Sequence, residues 1–361
     1  MGLLNTHGLN SAGSKAVGFW LLSVAAIIVA MVTLGGLTRL TGSGLSITEW
    51  DPVVGAIPPL GDAAWHAAFA KYQLIPQYRL ENHGMGLDAF KAIFWWEWTH
   101  RFLGRLLGFV FLIPFVFFAW TGAIARRQWP RMLLLFALGG LQGFVGWWMV
   151  ESGLETRISV SQYRLAIHLG VAIILLGAIL WTALEYLRGR NPSSAFRPEA
   201  GGPTRIASYA FVALVYVQML LGALVAGLHA GLIYNTWPSM DGRVFPEAPF
   251  ADRPWWINFF ENTGLVQFDH RLGAYAVLIA ALTIAFRVRA APPDAHALRA
   301  AGLIAGLTIF QVVLGIVTLL VQAPLALAAA HQLSAALLFC AAIWNAYEQR
   351  CAGRGDGRAG A

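Results

Sequence analysis

The stretch Ala300 to Tyr347, AAGLIAGLTIFQVVLGIVTLLVQAPLALAAAHQLSAALLFCAAIWNAY, runs for 48 residues without an Asp, Glu, Lys or Arg. A helix needs about 17 to 25 apolar residues to cross a bilayer core, so this stretch is too long for one crossing and sized for two. The turn belongs near Gln322, Ala323 and Pro324, because proline cannot continue a helix. Outward from it, uncharged runs of spanning length recur at Val17 to Thr38, Leu106 to Ala125, Met132 to Val150, Leu165 to Leu184 and Ile206 to Ala230. A shorter run, Leu272 to Phe286, needs His270 and Arg271 in its first turn. The expected fold class is therefore an all-α integral membrane protein with eight transmembrane helices.

Composition points the same way. Of 361 residues, 58% are hydrophobic and 12% charged, which does not fit a water-soluble protein of this size. The formal charge of +7 is not gathered on a basic soluble domain, so no nucleic-acid partner is expected. The two cysteines, Cys340 and Cys351, supply neither a disulfide framework nor a cysteine-based zinc site. One Lys and no Arg precede the first apolar run, which suits neither a mitochondrial presequence nor a cleaved signal, and a bacterial inner membrane is the expected location.

An even number of crossings puts both termini on one side. That side carries 14 of the 25 basic residues (Lys15, Arg126, Arg127, Arg131, Arg188, Arg190, Arg197, Arg205, Arg287, Arg289, Arg299, Arg350, Arg354 and Arg358). It carries five of the 18 acids (Glu185, Glu199, Asp294, Glu348 and Asp356), a net +9. The opposite side keeps 11 basic and 13 acidic residues, a net −2, so the positive-inside rule predicts cytoplasmic termini.

The chain also looks duplicated. Leu34, Gly35, Leu37, Gly44, Leu45 and Trp50 align with Leu221, Gly222, Leu224, Gly231, Leu232 and Trp237 at an offset of 187. His100 and Arg101 align with His270 and Arg271 at 170, Gln142 and Gly146 with Gln311 and Gly315 at 169, and His168 with His331 at 163. Offsets that change only between helices are what differing loop lengths produce. The expectation is two tandem, parallel-oriented four-helix bundles. The boundaries read as a cytoplasmic tail 1–16, a first repeat 17–187 with a long outer loop 39–97, a cytoplasmic linker 188–204, a second repeat 205–348 and a tail 349–361.

Four histidines then fall one to each even-numbered helix: His100, His168, His270 and His331. Even-numbered helices share one direction under this topology, so all four imidazoles are expected in the outer half of the membrane. Ionisable groups in spans are functional candidates by default, and two facing imidazoles in a bundle core are a natural axial pair for haem iron. Taken singly, each His reads equally well as an interfacial side chain bonded to a carbonyl; four such coincidences are harder to explain. His229, ending the fifth helix, reads as a cap or as a neighbour of a cofactor propionate.

The halves differ at one telling position. Glu97 stands three residues before His100, on the same helix face, while its counterpart is Gln267. A carboxylate beside a haem edge can take up a proton and an amide cannot. The alternative for Glu97 is an interfacial ion pair with Arg101 or Arg105. Arg101 and Arg271 are suited to pairing with haem propionates. The outer-loop aromatics, Trp65, Phe69, Tyr72, Tyr78, Phe90, Phe94, Trp95, Trp96 and Trp98, read first as an interfacial belt and second as a pocket wall.

Six motifs carry a family resemblance: GGLTRLTGSGLSITEW (35–50), EWTHRFLGR (97–105), SQYRLAIHLG (161–170), GLHAGLIYNTWPSMDG (227–242), FDHRLGAY (268–275) and AAHQLSAAL (329–337). Together they resemble the haem A synthases, in the mitochondrial and alphaproteobacterial-type branch. The outer-loop cysteine pair of the other branch is missing here. The resemblance implies a haem b cofactor held by His270 and His331, and substrate haem O held near His100 and His168. It implies a catalytic role for Glu97, with Arg101, Arg105, Arg271 and His229 as propionate or supporting candidates. It further implies oxidation of a haem O methyl group through successive hydroxylations to a formyl group, for cytochrome oxidase assembly. Haem O synthase or other assembly factors and an unidentified electron partner would act with the chain. The competing readings are a dihaem membrane cytochrome b acting only in electron transfer, and a transporter built from a parallel repeat.

Overall fold

The structure is a computed structural model that describes residues 6–51, 54–155, 157–188, 202–291 and 295–352. Its helices are α1 (Thr6–Leu40), α2 (Asp62–Tyr72), α3 (Pro76–Leu80), α4 (Leu87–Trp120), α5 (Trp129–Leu154), α6 (Gln162–Leu187), α7 (Pro203–Gly227), α8 (Asn258–Glu261), α9 (Thr263–Ala290), α10 (Ala295–Leu320) and α11 (Leu325–Ala352). Eight of them, α1, α4, α5, α6, α7, α9, α10 and α11, are long and apolar enough to cross a membrane. The chain is a multi-pass, all-α membrane protein. Of the expected linker, residues 189–201 lie outside the described residues, as do 1–5 of the N-terminal tail and 353–361 of the C-terminal tail.

The long uncharged stretch breaks where proline required. Gln322 and Ala323 adopt φ of 59° and 52°, and their amides donate back to Leu319 O and Thr318 O. This left-handed cap satisfies carbonyls that the end of α10 would otherwise leave unpaired. Other boundaries need correction. The sixth span starts at Thr263, about two turns before Leu272, so His270 lies within α9 and not at its opening. Helix α4 likewise begins at Leu87, which puts His100 well inside it. Apolar runs mark only part of each helix, and both helices extend past it into the packed region beside the loops that follow α1 and α7.

Within the first half α1 packs on α4 and α6, and α5 on α4 and α6; within the second, α7 packs on α9 and α11, and α10 on α9 and α11. The halves meet through α6 with α7, α1 with α11, and α6 with α11. Lipid is as apolar as leucine, so close packing and hydrogen bonds must hold such a seam. Small residues permit it: a Cβ on Gly177 of α6 would sit 3.2 Å from the Phe339 ring of α11, and Gly36 of α1 lies directly beneath Gln332 of α11. The Gln332 amide donates to Val32 O across the same seam at 2.6 Å.

At the opposite end from the outer loops, two acids 163 apart act alike. Trp181 Nε1 donates to Glu185 at 3.0 Å and Trp344 Nε1 to Glu348 at 2.9 Å. Each carboxylate is also reached by an arginine from the other half: Arg350 lies 3.6 Å from Glu185, and Arg188 pairs closely with Glu348. The two halves are thus joined by reciprocal ion pairs.

The outer loop has its own small core. Trp65, Tyr72, Phe90 and Phe94 are all 9% exposed or less and pack with Leu45 and Ile75. These four rings are therefore not part of an interfacial belt, because α2 folds onto the first turns of α4 and removes them from the surface, whereas Trp95 and Trp96 remain exposed. The Tyr72 hydroxyl donates to Gln77, whose amide donates to Gly42 O at 3.0 Å, fastening this unit to the end of α1. Burial pushes the Tyr72 phenol above its ordinary range.

Candidate functional site

Each of the four histidines is presented by one long helix to a glycine on the helix beside it. A Cβ on Gly35 (α1) would meet His100 Cε1 at 3.0 Å, on Gly146 (α5) His168 Cε1 at 2.9 Å, on Gly222 (α7) His270 Cε1 at 3.2 Å, and on Gly315 (α10) His331 Cε1 at 2.8 Å. Ordinary carbon contacts lie near 3.5 to 4.0 Å, so only glycine lets these rings seat where they do. Four residues before each glycine, one turn away on the same face, stands a second constant feature in three of the four cases. Gln142 Nε2 donates to His168 O at 3.0 Å and lies 3.1 Å from its Nδ1. Gln218 Nε2 donates to His270 O at 2.8 Å and lies 3.1 Å from its Nδ1. Gln311 Nε2 donates to His331 O at 3.0 Å and lies 3.4 Å from its Nε2, while Ser334 closes on Gln311 Oε1. Sequence reasoning found the Gln142–Gly146 and Gln311–Gly315 match but missed that Gln218 and Gly222 repeat it; the i, i+4 spacing was the available signal.

In the second half the two rings face each other. His270 and His331 have centroids 6.5 Å apart and planes at 76°. One metal ion bonded to a nitrogen of each ring at about 2 Å would set the centroids roughly 6 Å apart, so the pair fits a single iron. His100 and His168 are carried by α4 and α6, each of which packs on both α1 and α5. All four histidines are half-buried residues. His168, His270 and His331 lie six or seven residues into α6, α9 and α11, about 9 to 11 Å along each axis. Among the described residues, no group of three or more His, Cys, Asp or Glu side chains converges to hold a metal.

Glu97 is 3% exposed and belongs to no surface pair. Arg101 Nη2 donates to its Oε1 at 2.6 Å, and Ser46 Oγ and the Ile47 amide both donate to its Oε2 at 2.8 Å. The alternative of an exposed interfacial pair is thereby corrected: the partner is Arg101, and the pair is buried under the loop that follows α1. Gln267 occupies the same place in reverse. Its Nε2 donates to Ala230 O at 2.9 Å and Tyr234 O at 3.2 Å, and its Oε1 accepts from Arg271 at 3.1 Å. Arg101 Nη2 donates to Ile47 O at 2.9 Å, and Arg271 Nη2 to Tyr234 O, 187 positions later, at 2.8 Å. Both guanidinium groups therefore hold loop carbonyls, and Arg105 likewise donates to Asp51 O at 2.8 Å. Arg271 Nε is buried without a partner.

His229 follows the end of α7 with φ 53°. Its counterpart 187 positions earlier is Gly42, with φ 66°, and both amides donate three residues back, to Ala226 O and Arg39 O. His229 is exposed, and its imidazolium is disfavoured first by partial desolvation and then by the charge of Arg39. It is an exposed helix-terminating residue.

Fold and site together define a polytopic helical membrane protein that presents two pairs of imidazoles, each ring seated on a glycine. The family profile described as cytochrome oxidase assembly protein (COX15-CtaA) matches residues 18–343. The chain is 48% identical over 352 residues, 95% of its own length and 97% of the relative's, to the heme A synthase of Parvibaculum lavamentivorans. It is 52% identical to that of Rhodopseudomonas palustris, over 89% and 86% of the two chains, and 50% identical to that of Brucella ovis, over 95% of each. The chain belongs to the COX15-CtaA family of cytochrome oxidase assembly proteins.

Proposed function

We propose that this chain is the oxidoreductase that its relatives' names describe, forming haem A by oxidising a methyl group of haem O to a formyl group. The observation that carries this reading is the two-fold set of paired imidazoles, in a chain about half identical to heme A synthases over nine-tenths of its length. His270 and His331 would hold the resident haem b, and His100 and His168 the substrate haem O. Bound there, haem b supplies one-electron transfer.

The residues of the chain do the rest. Glu97 holds the Ser46–Ile47 segment and Arg101, and its carboxylate, three residues before His100 on α4, is the candidate proton-handling group of the first half. Gln267, an amide that donates where Glu97 accepts, makes the second pair a site without a titratable neighbour at that position. A carrier that left both haems unaltered gives no reason for this difference, which is why the electron-transfer cytochrome is the weaker reading. Arg271, with its Nε unpaired, is the propionate-binding candidate in the second half. The family role and charge asymmetry support two parallel-oriented units in a bacterial inner membrane, termini cytoplasmic and imidazoles in the outer half.

Co-expression with a haem O source, followed by chromatography of extracted haems, tests the reading. Haem A is expected to accumulate; a haem O pool left unchanged by the intact chain would count against it.

A further inference from the structure

The fourth ring lacks the feature the other three share. One turn before Gly35, where the pattern calls for glutamine, stands Met31, at the offset of 187 from Gln218. Its methyl end lies against Gly104, one turn along α4 from His100. His100 Nδ1 is buried with no hydrogen-bond partner, as is His331 Nδ1, so what sets His100 apart is the missing amide on its backbone carbonyl. Glutamine and methionine have similar length, so the exchange alters hydrogen bonding at nearly constant bulk. Groups that hydrogen-bond an iron-binding imidazole, or fix the backbone beside it, set ring orientation and typically change metal affinity by about 10–100-fold.

We infer that Met31 is a positioning residue that makes the first-half pair the exchangeable one. No glutamine stands beside His100, whereas Gln142, Gln218 and Gln311 each hold the backbone carbonyl of their histidine, His168 in the first half and both His270 and His331 in the second. An enzyme whose substrate and product are both haems must release one haem every turnover and retain the other. The distribution of amides divides the two pairs in that sense. This inference rests on the haem reading above.

The test uses the full-length chain purified from a host that makes haem O, mixed with excess apomyoglobin while haem absorbance is followed. Two phases of haem loss are expected, and His100→Ala, which removes the fast one, assigns it to the first half. Met31→Gln is expected to slow the fast phase about ten-fold or more, and Gln218→Met to speed the slow phase similarly. Met31→Leu, which removes the sulfur without adding an amide, is expected to leave the fast phase unchanged. Rates unaltered by both Met31→Gln and Gln218→Met overturn the inference while leaving the haem reading intact. Slowing by Met31→Leu equal to that by Met31→Gln also overturns it, since the amide would then not be the cause. A chain purified from haem-replete cells without bis-imidazole absorbance removes the haem reading itself.

Discussion

Glu97 and Gln267 show how one atom's exchange inverts a hydrogen-bond pattern. A carboxylate has only acceptors, and Glu97 receives three donors on its two oxygens; an amide has one oxygen, and Gln267 directs its nitrogen at two carbonyls. Glu97→Gln must therefore turn an NH2 group toward either Arg101 or the Ser46 and Ile47 donors. Haem A formation is expected to fall by about 100-fold or more, the scale of a lost acid–base group, with haem b content retained. Extracted-haem chromatography and the reduced absorbance spectrum measure the two, and normal haem A yield would remove the carboxylate from the chemistry. In the mirror variant, Gln267→Glu, a carboxylate would face Ala230 O and Tyr234 O without a proton to give. Tyr234 O would keep its bond from Arg271, but Ala230 O would lose the Gln267 donor, a cost of about 1–3 kcal/mol, so thermal stability should drop, and an unchanged melting temperature in detergent would contradict the assigned contacts. The sequence showed the Glu/Gln difference and offered Arg101 as one of two partners for Glu97, but the loop donors and carbonyls that invert the pattern come from 33 to 51 residues away and were not legible.

At the level of helices, the reading succeeded where lipid imposes the rule and failed where packing does. Uncharged runs reveal spans because no other composition is tolerated in hydrocarbon, and Pro324 exposes the α10–α11 turn for a purely steric reason. The early starts of α4 and α9 were not legible, since their outer turns carry Glu97, Asp269 and His270 among apolar residues. The aromatic core over α4 was misread because Trp65, Tyr72, Phe90 and Phe94 come from two helices with no shared period. The glycine seats were half visible, as repeat matches without a purpose. Their purpose gives a graded prediction. Gly315→Ala would put a methyl group 2.8 Å from His331 Cε1, and Gly222→Ala 3.2 Å from His270 Cε1. The first should displace its ring more and lose more of the bis-imidazole absorbance; an intact spectrum in Gly315→Ala would show that the glycine is not the seat. His270→Ala, which removes the ring altogether, sets the full-loss reference, and haem retained by that variant at the wild-type level would refute the pairing with His331.

For the molecule as a whole, the question is what keeps two halves in register when lipid offers no hydrophobic drive between them. Small-residue contacts along α6, α7, α1 and α11 set the distance, and the reciprocal pairs Arg350 with Glu185 and Arg188 with Glu348 fix the halves at the end away from the imidazoles. The carboxylates are largely buried while the arginines remain partly solvated, so each pair sits between a surface bridge, worth under about 1 kcal/mol, and a buried one, whose disruption costs about 3–5 kcal/mol. Losing Arg188 leaves Glu348 its Trp344 bond but no cation, an expected cost of about 1–3 kcal/mol. Because Glu185 is also held by Arg131 at 2.5 Å, Arg350→Ala should cost less than Arg188→Ala. If the two pairs hold the halves as a unit, the double variant Arg188→Ala, Arg350→Ala should lose more stability than the two single losses together, since either pair alone still restrains the seam. Melting temperatures of the four proteins in one detergent complete the cycle, and strict additivity would mean that each pair acts only within its own surroundings and that the helix seam alone keeps the halves together.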